Sequence, residues 1–252
     1  MSKVDFIIIG VQKGGTSSAI HHLNTHPNIH IHPEEIHFFD EKLKYNKGIE
    51  YYHSCFKGDI NKIPSNIKVG EKTPSLSYNP NAIKRIKDYN KDIKLFLFLR
   101  EPMSRVYSQW NMYTQIGFNV GSFREFITNN FLTSFKDIEW NGYYPLQRSL
   151  YITHIQNILD HFPKSQLHIT ISEELKTSPL EHYNNIFKFL KLDPLLHLDF
   201  NENIHKRSYE SSILIEDFKF LYNIFKPYNE QLYNFLGRDI PLWEKTYNQI
   251  IN

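Results

Sequence analysis

One stretch constrains the fold more than any other: Asp5 to Ser18, reading Asp-Phe-Ile-Ile-Ile-Gly-Val-Gln-Lys-Gly-Gly-Thr-Ser-Ser. A short apolar run stands directly before a glycine-hinged turn that carries one lysine and three consecutive hydroxyls. The pattern predicts a buried parallel strand over 6–9 and a helix over 16–24, with Ala19, Ile20 and Leu23 on its inner face. A strand, turn and helix in this order form an anion cradle. Gly10, Gly14 and Gly15 allow positive φ and close backbone approach, while the N–H groups of the helix's first turn point at whatever negative group sits there. Phosphate or sulfate suits such a cradle. The spacing almost fits the triphosphate loop G-x-x-x-x-G-K-[ST]. Thr16, however, stands where that loop needs its lysine, and Lys13 comes three positions earlier, which disfavours a Mg-dependent NTPase.

Strand followed by helix recurs along the chain. A short strand over 68–72 leads into Thr73-Pro74, and a second strong strand, Leu-Phe-Leu-Phe-Leu, lies within 94–99 and is bounded by Arg100-Glu101-Pro102. Pro102 opens a helix to about Tyr113, a position where its missing N–H costs nothing. Further helices are expected over 81–89, 150–161, 183–190 and 215–236, the last ending at Gly237, with a third β-rich run over 167–171. A turn is expected over 142–145 and a polar loop over 199–208. This alternation implies an α/β fold: one domain over residues 1–252, its central parallel sheet covered by helices on both faces. Ligands then collect at the strands' C-terminal ends, where both the Lys13 turn and Arg100 fall.

Composition narrows the function classes. The 252 residues carry 29 basic and 27 acidic side chains, a formal charge of +2, so a generally cationic nucleic-acid binder is not indicated and any anion site is local. The single cysteine, Cys55, rules out an intrachain disulfide and fits a reducing compartment. The N-terminus lacks the basic flank and apolar length of a secretory signal and no stretch spans a membrane, so a cytoplasmic protein without membrane partners is expected. Among the 13 histidines, His21, His22, His26, His30 and His32 crowd together, but no paired cysteine or H-E-x-x-H spacing accompanies them, and no metal is expected.

Three segments then converge. Gly10 to Ser18, Glu71-Lys72-Thr73-Pro74, and Arg100-Glu101-Pro102 through Arg105-Val106-Tyr107-Ser108 together resemble the PAPS-dependent sulfotransferases. Glu35-Ile36-His37-Phe38-Phe39-Asp40 is similar to the Lys-Glu-x-His-Phe-Phe segment of heparan sulfate 3-O- and N-sulfotransferases, with Glu34 in place of their lysine. Ser149-Leu150-Tyr151, Phe162-Pro163, Glu173-Glu174-Leu175 and Phe189-Leu190 follow in the family's order, with Ser149 where glycine is common. The likeness covers essentially the full chain.

The resemblance implies roles. Lys13 contacts the bridging oxygen of the phosphosulfate, and Gly14, Gly15, Thr16, Ser17 and Ser18 hold the 5′-phosphate. Arg100 and Ser108 take the 3′-phosphate, with Tyr151 either reaching that phosphate or packing a helix. Lys206 and Arg207 are either a lid over the nucleotide or a solvated loop. Glu35 is the expected general base, its pKa raised by Ile36, Phe38, Phe39 and Glu34, with His37 as rival. Lys72 sits near the transferred sulfonate or merely precedes a helix start. PAPS is the implied donor, PAP the product, and a hydroxyl-bearing carbohydrate or small metabolite the acceptor, an amine being the second choice. A P-loop kinase and a non-catalytic nucleotide binder are the rival readings, and the aromatics Phe123, Phe126, Phe131, Phe135 and Trp140 form an acceptor wall or an ordinary amphipathic helix.

Overall fold

Apolar runs bounded by glycine, proline or charge become strands. A computed structural model describes residues 3–56, 60–133, 144–200 and 213–251. The chain divides into two compact units, Met1–Leu99 with Gln156–Lys206, and Arg100–Ile155 with Arg207–Asn252.

The first unit begins with β1 (Phe6–Gly10), buried along its whole length, and α1 (Thr16–Leu23). A three-residue strand, β2 (Ile29–Ile31), was not foreseen, because Ile-His-Ile between two prolines is too short for period-two alternation to register. Two short helices, α2 (Lys42–Tyr45) and α3 (Ile49–Ser54), precede β3 (Lys68–Lys72), α4 (Pro80–Tyr89) and β4 (Lys94–Leu99). The second unit opens with α5 (Pro102–Gln115) and α6 (Phe123–Thr133), and the chain returns to the first by way of α7 (Tyr151–Leu159). There it adds β5 (Leu167–Ile171), α8 (Ser172–Thr177) and α9 (Pro179–Phe189), while α10 (Ile215–Leu236) and α11 (Pro241–Ile251) belong to the second unit.

Among the described residues the strands form one parallel sheet in the order β2-β3-β1-β4-β5, flanked by helices. From β1 the chain goes outward to β2 and β3; from β4 it goes the other way to β5. The strand order therefore reverses between β1 and β4, which makes their C-terminal ends the crevice where such sheets gather ligands. One sheet face packs Phe6, Ile8, Phe96 and Phe98 against Ala19 and Leu23 of α1 and Tyr183, Ile186 and Phe187 of α9. No described helix is long and apolar enough to cross a membrane. The turn expected over 142–145 and the loop over 199–208 lie partly outside the described residues, as do Phe135 and Trp140. Phe123 and Phe126 are buried on α6, and those two positions pack inward as an amphipathic helix would have them.

Candidate active site

The turn after β1 is held from below by backbone hydrogen bonds. Val11 N donates to the Phe98 carbonyl at 3.0 Å and Gly14 N to the Val11 carbonyl at 2.9 Å. Its glycines have distinct jobs. Gly15 adopts φ 87°, as does Lys13 at 70°, whereas Gly10 and Gly14 are not in the left-handed region. They are small because neighbours press on them: a Cβ on Gly14 would lie 2.3 Å from the Phe98 carbonyl oxygen, and one on Gly10 2.3 Å from Ser77 Oγ. Positive φ in this turn thus falls on Gly15 and Lys13, and close approach on Gly10 and Gly14.

α1 starts at Thr16 with no side chain capping it, and its first intrahelical bond from outside is Ala19 N to Gly15 O at 3.0 Å. The N–H groups of Thr16, Ser17 and Ser18 therefore have no partner within the helix and face the positive end of its dipole. With Lys13 in the same turn and the Ser17 hydroxyl beside them, this donor set fits a phosphate or sulfate oxyanion. Ser18 instead leans along the helix, its Oγ 3.5 Å from His22 Nδ1.

Side chains from three places meet beside the cradle. Lys72, at the C-terminal end of β3, puts Nζ 2.7 Å from Glu35 Oε1 and 3.4 Å from Ser17 Oγ. Glu35 Oε2 lies 3.4 Å from His37 Nε2, and His37 Nδ1 is 2.9 Å from Asp40 Oδ2. Ser75 Oγ donates to the same Asp40 oxygen at 2.5 Å. The result is one chain of polar contacts, Ser17–Lys72–Glu35–His37–Asp40–Ser75. Lys72 is buried, while the Glu35 and His37 side chains keep 37% and 32% exposure and can meet a substrate.

This geometry corrects the electrostatics expected of Glu35. Desolvation alone would push its carboxyl up, but hydrogen bonds from His37 and Lys72 and their charges outweigh it and hold the pKa below the usual carboxylate range. Phe38 and Phe39 pack on Tyr52, and the desolvation that Glu35 does experience is outweighed by its His37 and Lys72 contacts. Hydrogen bonds to Asp40 and Glu35 raise His37 to about 10 against the cost of burial. An imidazole that is protonated at neutral pH has no lone pair to offer, which suits His37 to clamping Glu35. Asp40 escaped the sequence reading, although its place three residues after His37 was visible.

Of the remaining expected residues, Arg100, Ser108 and Tyr151 lie in the second unit. Glu101 caps α5 by accepting from Met103 N at 2.9 Å and Ser104 N at 2.7 Å, and Ser108 is buried on that helix. Tyr151 gives its hydroxyl proton to the Arg100 carbonyl at 2.7 Å, which braces the Arg100 backbone. Ser149, in the family's glycine position, accepts from Arg105 Nε at 2.6 Å. Lys206 and Arg207 lie outside the described residues. The clustered histidines serve backbone contacts: His22 Nδ1 meets Ser18 O, His26 Nε2 meets Asp193 O and His32 Nε2 meets Cys55 O.

A parallel sheet with a glycine-turned cradle at its switch point, and a lysine–carboxylate pair beside it, defines a P-loop-like α/β fold with a candidate oxyanion site. The chain belongs to the sulfotransferase domain family, whose model matches residues 3–212. It is 35% identical over 196 residues to human heparan sulfate glucosamine 3-O-sulfotransferase 5, covering 75% of this chain and 53% of that protein. Mouse heparan sulfate glucosamine 3-O-sulfotransferase 3B1 is 28% identical over 259 residues, covering 92% and 63%. The chain thus spans between 53% and 63% of the length of these relatives. A solved sulfotransferase from Alicyclobacillus acidocaldarius shares the fold at a TM-score of 0.80 and 22% identity, covering 97% of this chain and 100% of that one.

Proposed function

We propose that the chain is a PAPS-dependent sulfotransferase, one domain over residues 1–252, that moves a sulfuryl group to a carbohydrate hydroxyl with Glu35 as the base. The observation that carries this reading is the contact path from Ser17 of the cradle through Lys72 to Glu35, which sets an ionised carboxylate beside an oxyanion site. The hydroxyl is preferred over an amine because the relatives are named as 3-O-sulfotransferases of heparan sulfate glucosamine.

Bound PAPS supplies an activated sulfuryl group on a phosphosulfate, so the chain's own task is positioning and charge. Lys13 and the first-turn N–H groups neutralise the phosphate end, while Arg100 and Ser108 are matched to the 3′-phosphate by the family resemblance alone. Glu35 accepts the acceptor's hydroxyl proton as the new O–S bond forms and the bond to the departing phosphate oxygen breaks. Its depressed pKa makes it weakly basic but keeps it ionised at neutral pH. In a loose displacement the nucleophile surrenders its proton late, so placement counts for more than basicity. Lys72 stabilises negative charge between base and cradle.

The test offers the purified chain labelled PAPS with a panel of glucosamine-containing oligosaccharides, amines and hydroxylated small molecules. Label should pass to an oligosaccharide hydroxyl. PAP should raise the melting temperature of wild type and of Glu35→Gln alike, because a ligand bound only by the native state stabilises it. Turnover in Glu35→Gln should fall by about 100-fold or more. A melting shift with ATP but not PAP, or undiminished turnover in Glu35→Gln, overturns the reading.

A further inference from the structure

Behind the loop that carries Glu35 lies a buried acid with no part in the reaction as derived above. Glu71 is wholly buried on β3, one position before Lys72, so the two side chains leave opposite faces of the strand. Its Oε1 accepts from the Tyr52 hydroxyl at 2.9 Å and its Oε2 from Thr73 Oγ1 at 3.2 Å. Tyr52, itself fully buried on α3, stacks on Phe38 with ring centres 4.8 Å apart and meets Phe39 edge-on at 5.0 Å. Those two rings are the only residues between His37 and Asp40.

We infer that Glu71 is a positioning residue: through Tyr52 its carboxylate holds loop 34–40 so that Glu35, His37 and Asp40 stay aligned on Lys72. Its consequence for turnover rests on the sulfotransferase reading; the contact itself does not. An ionised Glu71 accepts both hydroxyl protons. A protonated one must donate at one oxygen, so one hydroxyl has to turn, and the Tyr52 hydroxyl is the one that steers the loop. Burial pushes the Glu71 carboxyl up to about 7 against the bonds from Tyr52 and Thr73, with Asp40 adding to the rise and His37 opposing it. The other titratable groups facing it, Tyr52 and Cys55 at α3 and Tyr89 on α4, are all shifted upward and neutral at that pH. Turnover should therefore climb as pH rises through about 7.

Two conservative variants test this, Glu71→Gln and Tyr52→Phe, each checked for folding by circular dichroism. In both, kcat should fall about tenfold while acceptor KM and PAP affinity stay within about twofold. The limb near neutral pH should vanish in Glu71→Gln. The His37 ring, followed by NMR, should titrate at least about one unit lower in Tyr52→Phe as Asp40 and Glu35 loosen from it. A folded variant with wild-type kcat and an unmoved His37 titration overturns the inference, as does a parallel loss of PAP affinity. A wild type that does not bind PAP sinks the sulfotransferase reading instead, and the His37 titration then decides the positioning role alone.

Discussion

At the scale of single residues, Lys72 and the paired glycines show how little of the site is interchangeable. Lys72 gives its one ammonium to Glu35 at 2.7 Å and Ser17 at 3.4 Å from a buried position, so no solvent charge can replace it. In Lys72→Met the Glu35 carboxyl loses a main cause of its depression and its pKa rises. The acid limb of the pH–rate curve for sulfuryl transfer should move up with it, and kcat should drop by about 100-fold. An unmoved acid limb would show that Glu35 and Lys72 are not coupled. Gly14 and Gly15 separate two kinds of constraint. Gly15 is exposed with φ 87° and has room for a Cβ, so Gly15→Ala meets only the left-handed backbone penalty, about 1 kcal/mol. Gly14→Ala drives a methyl to 2.3 Å from the Phe98 carbonyl, so the turn itself must shift. Melting curves should show the larger loss for Gly14→Ala, and PAP affinity should suffer in that variant and much less in Gly15→Ala.

At the scale of elements, the cradle is tied to β4 and to the segment that follows β5. Val11 N reaches back to β4, and Ser172 Oγ, at the start of α8 just after β5, donates to the Gly14 carbonyl at 2.5 Å. Ser172→Ala touches no proposed ligand contact, yet it removes a buried hydrogen bond and leaves that carbonyl short of a partner. Stability should fall by about 1 to 2 kcal/mol, with PAP affinity falling in the same variant. A stability loss with unchanged PAP affinity would show that the turn needs no such brace. This tie was illegible in the sequence, since Ser172 and Gly14 are 158 positions apart. What was legible is local: β1, β3 and β4, the turn, and the start of α5 are written in contiguous apolar runs and punctuating Gly and Pro. Glu35, His37 and Lys72 could be nominated one by one. Their mutual contacts could not, because pairing β3 beside β1 is what brings Lys72 to the Glu35 loop. The inverted pKa expectation for Glu35 has the same origin, for the Lys72 and His37 contacts that outweigh its desolvation form only when the chain folds.

At the scale of the whole molecule, the shifted groups predict how stability varies with pH, and the signs do not all agree. His154 and His168 are held near 4 by desolvation, Arg105 and Arg148 adding to the first and His182 to the second. Between about 4 and the usual 6.5 the unfolded chain binds protons that the folded one refuses, so these two sites make stability rise with pH. Glu35, with its pKa depressed, likewise contributes stability that is lost as acid protonates it below the usual carboxylate value. Glu71 works the other way. Raised from 4.5 to about 7, it binds a proton more readily folded than unfolded, so its share of stability declines across that interval. His37, raised to about 10, contributes stability that is fully present below 6.5 and lost progressively up to 10. The lowered histidines, His22 with His154 and His168, outweigh the raised Glu71 and Asp217 on the acid side, and His37 governs the slope above 7, so the melting temperature should peak between about 6 and 7. Glu71→Gln should flatten the decline between 4.5 and 7, and His37→Gln should flatten the one from 6.5 to about 9. A wild-type melting temperature that is level from 6.5 to 9 would mean that His37 is not clamped between Glu35 and Asp40 in solution, and the alignment of the proposed base would lose its support.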